Sequence, residues 1–242
     1  MMLKGIDVSR WQGVIDWGKA SQDDHVDFAI LKAGGSDAGF YKDKYFERNY
    51  SEAKKYNVPI GCYYFVGKGF ISEQDGLADA KRFLDIIKGK EFEYPIVLDV
   101  ESTDVKNKNG VTKACIAFLN ELEKNGYYGM IYSYENFFYE NVDSSQLTRF
   151  DKWVANITTK PKMSGYGIHQ YSWTGRINGI SGDVDLNHCY KNYPEIIKNA
   201  GLNNFTSKLK DVTIKIRNLS DEDVEVFNKL LTLIDDFEIE IN

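Results

Sequence analysis

The first 150 residues of the chain alternate between short apolar runs and longer amphipathic stretches. Apolar runs rich in β-branched and aromatic residues predict strands at 4–9, 28–34, 59–66, 94–101 and 128–134. Stretches with apolar residues at helical spacing predict helices at 42–57, 72–88 and 110–125. Alternation of strands and helices is typical of a parallel sheet with helices packed on its faces.

The pattern changes after residue 150, where strands follow one another without room for helices. Strands are predicted at 152–157, 167–172 and 184–188, with gaps of roughly ten residues between them. Gaps so short do not hold the helix that usually joins two parallel strands. We therefore expect an α/β fold, an irregular TIM-like (β/α)5(β)3 barrel whose early units are regular and whose remainder is strand-rich.

The segment 94–101 is an apolar strand that ends in two carboxylates. Its apolar residues indicate a strand buried on both faces, as in a parallel sheet covered by helices. Because side chains alternate between faces, Asp99 and Glu101 project from the same face about 6 to 7 Å apart at Cα. Like charges so close raise one of the two pKa values, which leaves that group able to donate a proton. The alternative to an acid/base pair is a strand that runs into a solvated acidic turn. The buried parallel strand argues against it, because catalytic residues of such folds lie at the carboxyl ends of the strands.

Two further acidic segments lie at predicted strand ends. Asp7 ends the opening strand, and the segment 182–187 contains both Asp183 and Asp185. Because the strand ends of a barrel meet at one mouth, we expect these acids to converge with the acid pair described above. Either Asp183 or Asp185 is the acid of its loop that points inward.

Five sequence motifs occur in a fixed order between positions 3 and about 190, namely DVSRWQG, GCYYF, PIVLDVE, HQYS and VDLN. Together they resemble glycoside hydrolase family 25, the lysozymes of the Chalaropsis type, which are common as phage endolysins and bacterial autolysins. The resemblance implies the same irregular barrel. Two positions depart from the family pattern, which has a histidine at Tyr64 and a tryptophan at His169, and both side chains are expected to line the groove.

The resemblance implies a reaction and a role for each acid. The reaction is hydrolysis of the β-1,4 bond between N-acetylmuramic acid and N-acetylglucosamine in bacterial peptidoglycan. Glu101 would protonate the leaving oxygen, while Asp99 would tune Glu101 and stabilise positive charge on the sugar. Asp7 and Asp185, or Asp183 in place of Asp185, would orient water or the acetamido group. Whether the acceptor is water, the acetamido oxygen or a carboxylate stays open, because a sequence contains no inter-carboxylate distance.

Substrate contacts are expected from polar and aromatic residues near the strand ends: Lys32, Tyr41, Tyr64, Tyr132, Gln170 and Trp173. Tyr132 is as compatible with the core as with the groove. Trp11 is interpreted as packing under the first loop rather than stacking on a sugar, whereas Trp17 and Trp153 fit either role.

Two other functions are compatible with parts of the sequence. A chitinase-like hydrolase also uses an Asp-x-Glu strand in a barrel. Its longer D-x-x-D-x-D-x-E run is missing here, because Tyr94, Pro95 and Val97 occupy the upstream positions. A catalytically silent barrel that binds wall glycans is the second alternative, and the presence of all four acids argues against it.

Composition excludes several classes of function. A net charge of −6 and a pI near 5.2 leave no basic footprint for nucleic acid. The three histidines are scattered and the three cysteines show no C-x-x-C spacing, so we expect no metal and no cofactor. Bacterial peptidoglycan is the partner that the family resemblance implies.

The chain begins without a signal-peptide pattern, because Met1–Lys4 lead directly into the first strand. No apolar run approaches the ~18 residues of a membrane span, so no membrane insertion is expected. We expect synthesis in the host cytoplasm and action on the bacterial cell wall after release through a holin-type pore. This favours a phage endolysin over a secreted autolysin.

The C-terminal part differs in character from the rest. Residues 1–200 are assigned to the catalytic barrel and 201–211 to a linker. The segment 212–242 contains a period-two strand, an amphipathic helix and a final strand, an α+β unit too small to fold alone. Exposed strand edges favour pairing, so we expect residues 206–242 to mediate self-association, with wall binding or docking on the barrel as alternatives.

Overall fold

The computed structural model describes residues 2–206 and Ser220 of the 242-residue chain. Within these residues one sheet contains β1 (Leu3–Val8), β2 (Phe28–Gly35), β3 (Tyr41–Lys42), β4 (Ile60–Phe65), β5 (Ile96–Asp99), β6 (Gly129–Tyr134), β7 (Asp151–Ala155), β8 (Tyr166–Gly175) and β9 (Val184–Cys189). The α-helices are α1 (Trp17–Ala20), α2 (Phe46–Lys55), α3 (Glu73–Ile87), α4 (Lys108–Lys124), α5 (Glu135–Asn141) and α6 (Tyr193–Asn199). Two 3-10 helices span Arg10–Gln12 and Ser144–Leu147.

Eight of the strands close into a barrel in the order β1-β2-β4-β5-β6-β7-β8-β9. Adjacent strands are parallel in this order from β1 to β8. The last strand, β9, runs antiparallel to both of its neighbours, β8 and β1. Each of the first five barrel strands is followed by an α-helix, whereas β7, β8 and β9 follow one another without one. This arrangement confirms the predicted (β/α)5(β)3 architecture.

The small strand β3 lies outside the barrel and pairs antiparallel with the end of β2. It explains why α2 begins at Phe46 and not at the predicted position 42, because Tyr41 and Lys42 are held in strand pairing instead. The approach is close, since a Cβ built on Gly34 would lie 2.3 Å from the Tyr41 carbonyl oxygen. Glycine is therefore required where β3 meets β2.

Helices α3 and α4 match their predicted ranges to within two residues. Each begins at a polar cap: the Ser72 side chain accepts a hydrogen bond from Asp75 N, and the Asn107 side chain accepts one from Gly110 N. These bonds satisfy backbone donors that the first turn of a helix leaves unpaired. Helix α4 packs against β5, at whose end the central acid pair lies, and α3 packs beside α4 and against β2.

Side chains on the barrel strands alternate between the barrel interior and the helix layer. Val97, Met130 and Ile168 belong to an inner core, whereas Leu98 and Val154 pack in the larger core towards the helices. Both faces of these strands are therefore apolar over most of their length. Neighbouring residues of a strand thus face opposite sides, apart from the register shifts recorded in β2, β7 and β8.

Residues after α6 pack against the barrel at the end where the parallel strands begin. Asn203 is fully buried, and its Nδ2 donates to the carbonyl oxygens of Phe92 and Tyr94 at 3.0 Å each. Its Oδ1 accepts a hydrogen bond from Tyr128 N at 2.8 Å. Asn203, which lies within the predicted linker 201–211, is therefore held by the barrel, whereas the rest of that linker from position 207 and the α+β unit predicted at 212–242 lie outside the described residues.

Cys62, Cys115 and Cys189 are buried and unpaired. Burial raises the pKa of each thiol, so all three stay neutral and pack as small apolar side chains. Among the residues that the structure describes, no helix is long and apolar enough to cross a membrane.

Candidate active site

Inner-face residues at the carboxyl ends of the parallel strands line one open depression, which we call the acidic mouth. Four carboxylates reach it: Asp7 from β1, Asp99 from the end of β5, Glu101 two residues later, and Asp185 from β9. Two adjoining cavities of about 220 and 180 Å³ share these four residues. The structure thus brings together the acids that the sequence places at separate strand ends.

Asp99 and Glu101 are neighbouring carboxyl groups that shift each other's pKa, and Asp99 Oδ1 is buried without a hydrogen-bond partner among the described residues. The extended path continues past β5, because Val100 N donates to the Tyr132 carbonyl oxygen at 3.1 Å. Burial raises the pKa of both carboxyl groups, and the charge of Glu101 raises that of Asp99 further. Asp99 is 5% exposed and Glu101 only half-buried, so Glu101 is the member of the pair that a substrate reaches.

Lys32 and Tyr134 flank this carboxyl pair. The Lys32 ammonium acts to lower the pKa of Asp99, and the Tyr134 hydroxyl hydrogen-bonds Glu101. Lys32 Nζ lies 4.5 Å from the ring centroid of Phe65 and 5.7 Å from that of Tyr63, within cation–π range. Burial lowers the pKa of Lys32, and the nearby Asp99 charge opposes that shift. The Lys32 charge thus opposes, without reversing, the rise in the Asp99 pKa that burial and the Glu101 charge cause.

Asp7 and Asp185 form a second carboxyl pair, directly opposite each other where β1 meets β9. Burial raises the pKa of both groups, and the Asp7 charge helps to raise the pKa of Asp185 to about 9. Asp185 is therefore protonated at neutral pH and available as a hydrogen-bond donor. Asp183 is exposed and pairs with Arg176, so Asp185 is the acid of this loop that points inward.

A hydrogen-bond network fixes the Asp7 carboxylate. Its Oδ2 accepts from Gln170 Nε2 at 2.9 Å and from Asn187 Nδ2 at 2.8 Å. The Tyr132 hydroxyl donates to Gln170 Oε1 at 2.8 Å, and Trp153 Nε1 donates to Asn187 Oδ1 at 2.8 Å. Tyr132 and Trp153 both line the cavity floor while packing in the inner core, so each serves core and groove together.

Aromatic side chains form the rim of the acidic mouth. Trp173 is 45% exposed and makes an edge contact with Tyr134 at 6.2 Å between ring centroids. Trp11 lines the adjoining cavity and is 77% exposed, so the interpretation that it packs under the first loop is wrong. Tyr41 lies behind Lys32, where its hydroxyl donates to Asp37 Oδ1 at 2.7 Å. Trp17 is a core residue whose Nε1 donates to Asn49 Oδ1.

Two side chains expected in the groove point to the outer face of the barrel wall instead. Tyr64 is fully buried in the helix-side core, and its hydroxyl donates to Asp79 Oδ1 at 3.3 Å. His169 Nε2 is hydrogen-bonded to the Asn156 carbonyl oxygen at 2.8 Å. Strand alternation is the physical reason, because Tyr63 and Gln170, one residue away in each strand, occupy the inner positions.

Sequence reasoning missed Tyr63 and Tyr134, which line the mouth, and the buried Asn187, which holds Asp7 in place. Asn187 lies two residues after Asp185, so the period of a strand contained a signal for it. Tyr63 had none, since its strand is apolar on both faces. Among residues 2–206 and Ser220, no group of three or more histidine, cysteine or acidic side chains has a metal-site arrangement.

A closed (β/α)5(β)3 barrel with two carboxyl pairs at one mouth defines a site of the glycoside hydrolase class. Exposed tryptophans at the rim offer faces on which sugar rings stack. In agreement, the model of Glycosyl hydrolases family 25 matches residues 6–180, and the chain belongs to this family.

Individual relatives agree with the family assignment. The autolytic lysozyme of Clostridium acetobutylicum is 28% identical over 186 residues, which cover 76% of this chain and 55% of the relative. The chain thus spans about half the length of that protein. The crystal structure of the CTP1L endolysin is similar with a TM-score of 0.71 at 26% identity, covering 81% of this chain and 69% of that one. The structure of a family 25 glycosyl hydrolase from Bacillus anthracis is similar with a TM-score of 0.67 at 26% identity. The match covers 84% of this chain and 93% of that one.

Proposed function

We propose that the chain is a peptidoglycan hydrolase, an N-acetylmuramidase that cleaves the β-1,4 bond between N-acetylmuramic acid and N-acetylglucosamine. The observation that carries the proposal is the Asp99–Glu101 carboxyl pair at the end of β5, in a mouth with two further acids. Membership of family 25 and similarity to proteins named lysozyme and endolysin support it. An endolysin role after holin-type release belongs to the same proposal.

Glu101 is the general acid in this proposal. Burial raises its pKa, which favours the protonated form, and its partial exposure lets it reach the glycosidic oxygen. Asp99 stays beside it, more deeply buried and electrostatically supported by Lys32. When the glycosidic bond breaks, positive charge develops on the sugar, and the Asp99 carboxylate stabilises that charge.

Asp7 and Asp185 orient the group that attacks the sugar. Asp7 holds its charge in a fixed position through Gln170 and Asn187, so it accepts a hydrogen bond from water or from an acetamido N–H. Asp185, protonated at neutral pH, donates a hydrogen bond at the same point. Water and the substrate's own acetamido oxygen are both compatible acceptors, and the stereochemistry of the product distinguishes them.

Sugar residues on either side of the cleaved bond meet different aromatic walls. Trp173 and Tyr134 line the cavity on one side of the acids, and Trp11 lines the adjoining cavity. Sugar rings stack on these aromatic faces through apolar contacts, which do not need a charge on the sugar. Lys32 and Tyr63 complete the wall beside Trp11, and the Tyr41 ring supports Lys32 from behind.

Mass spectrometry of the products released from purified bacterial walls tests the proposal. We expect muropeptides with N-acetylmuramic acid at the new reducing end. Products that end in reducing N-acetylglucosamine would place the cleavage at the other glycosidic bond. Wall binding without any soluble product, in a preparation that remains folded, would instead favour a silent glycan-binding barrel.

A further inference from the structure

The outer face of β7 lacks the helix that covers the earlier strands. The 3-10 helix Ser144–Leu147 and the loop at 160–165 cover it instead. Between them lies a cavity of about 590 Å³, larger than either cavity of the acidic mouth. We call this cavity the lysine pocket, because its polar lining includes Lys108, Lys152 and Lys162.

Lys152 is the most unusual residue of the lysine pocket. It is only 6% exposed, yet within the described part of the chain its ammonium makes no hydrogen bond and no ion pair. The neighbouring Asp151 carboxylate is already taken by Tyr128, Tyr193 and Lys191. The stem of Lys152 is buried while its ammonium opens into the cavity, so an ammonium without a protein partner is available to an anion there.

The rest of the lining also favours an anion. Lys108 and Lys162 add two exposed ammonium groups, and Ser144, Thr148 and Ser164 add hydroxyl donors. Asp143 lines the same cavity, but its carboxylate oxygens already accept hydrogen bonds from Ser145 Oγ and Gln146 Nε2, at 2.7 Å each. Three lysines therefore face one carboxylate that is already satisfied.

We propose that the lysine pocket binds a phosphate group. Several ammonium point charges with hydroxyl donors suit the oxygens of a phosphate, whereas a carboxylate is best held by the planar fork of an arginine. The pocket lies on the outer face of the barrel wall, so it can be filled while a glycan occupies the acidic mouth. The group is either free phosphate or a phosphodiester of the polyol-phosphate polymers attached to bacterial walls.

Calorimetric titration of the full chain with inorganic phosphate at constant ionic strength tests the phosphate assignment. Lys152→Met removes the buried charge at similar length, and Lys113→Met is the matched control on the exposed surface of α4. We expect the wild type and the control to bind equally, and Lys152→Met to bind about tenfold more weakly or worse. Equal affinity in all three proteins, or no binding to the wild type, overturns the proposal.

If Lys152→Met does not fold, as judged by circular dichroism, Lys162→Met at the exposed edge of the pocket takes its place. We expect this variant to weaken phosphate binding about threefold, because an exposed charge interacts more weakly than a buried one. Affinity equal to that of the wild type in a folded Lys162→Met protein, with no loss in Lys108→Met, likewise overturns the proposal.

The source of the phosphate is resolved by two further measurements. The first is titration with glycerophosphoglycerol, a small phosphodiester. The second is sedimentation at 4 °C with walls before and after hydrofluoric acid has removed their phosphodiester-linked polymers. Binding of the diester, with weaker sedimentation on stripped walls, supports the wall polymer, whereas binding of inorganic phosphate alone supports free phosphate. Neither measurement depends on hydrolysis, so failure here is separate from failure of the proposed muramidase activity.

Discussion

The acidic mouth and the lysine pocket lie on opposite faces of the same barrel wall. In β7, Trp153 lines the mouth, while the preceding residue, Lys152, lines the pocket. The mouth gathers four carboxylates around Lys32, and the pocket gathers three lysines around Asp143. Strand alternation thus produces two sites of opposite charge from one sheet, with the wall itself separating them.

The two regions also differ in how their charges are satisfied. In the mouth, Asp7 accepts hydrogen bonds from Gln170 and Asn187, so its carboxylate is held in place before substrate arrives. In the pocket, Lys152 has no such partner among the described residues. Fixed dipoles and charges are what a catalytic site needs, whereas an unpaired charge is what a binding site offers to a ligand.

Glu101→Gln is expected to have the largest effect. The amide has the same shape but cannot donate the acid proton, so kcat on purified walls should fall by 10²-fold or more. Melting temperature should stay close to that of the wild type, and Glu73→Gln on the exposed surface of α3 is the control. Lysis by Glu101→Gln at a rate near the wild type would show that another group supplies the proton.

Asp99→Asn is expected to lower kcat and to move the pH–activity profile. The Asp99 carboxyl group acts to lower the pKa of Glu101, because it stabilises the ionised form of that side chain. An amide stabilises the ionised form less well, so the basic limb of the profile, where Glu101 loses its proton, should move to higher pH. A profile that keeps the wild-type position would mean that the two carboxyl groups are not coupled during turnover.

Tyr63 and Tyr64 give a matched pair that tests the assignment of inner and outer faces. Tyr63→Phe removes a hydroxyl from the mouth and should lower kcat/KM about tenfold with little change in stability. Tyr64→Phe removes the hydrogen bond to Asp79 and should lower the free energy of unfolding by about 1 kcal/mol with kcat/KM unchanged. Steady-state kinetics and urea unfolding measure both, and the reverse pattern would exchange the two faces.

Asp185→Asn tests the second carboxyl pair through stability. The folded-state pKa of Asp185, about 9, lies above its ordinary value, so its contribution to stability is full at low pH and declines as pH rises towards 9. The amide mimics the protonated form. Compared with the wild type, the variant should gain about 1 kcal/mol at pH 8, roughly 2–4 °C in Tm, and gain little at pH 4. A Tm difference that does not vary between these pH values would argue against a protonated Asp185.

The sequence was sufficient to predict the barrel and the convergence of its acids. The spacing of apolar residues repeats over whole strands and helices, so it can be read from the sequence. Asp99 and Glu101 lie at the end of a strand whose apolar composition indicates its burial. Alternation then placed both carboxyl groups on one face without further information. Asp7 and Asp185 followed from the rule that the strand ends of a barrel share a mouth.

The face of each apolar strand was not predictable in the same way. A strand buried on both sides has no alternation of polar and apolar residues, so Tyr63 could not be distinguished from Tyr64. The same ambiguity affected His169 and Gln170. Lys152 resembles any surface lysine in sequence, because its burial depends on loops that replace a missing helix. Asn203 lay in a stretch that resembles a linker, and its hydrogen bonds to distant backbone carbonyls depend on the closed barrel.

The most direct test of the central claim is a crystal structure of Glu101→Gln with a tetrasaccharide of alternating N-acetylmuramic acid and N-acetylglucosamine. The account predicts that the glycosidic oxygen after N-acetylmuramic acid lies about 3 Å from the amide at position 101, within hydrogen-bond distance. The same sugar should contact Asp7 and Asp185, and the lysine pocket should hold no sugar. A tetrasaccharide bound across the outer face of the barrel, with the acidic mouth empty, would contradict it.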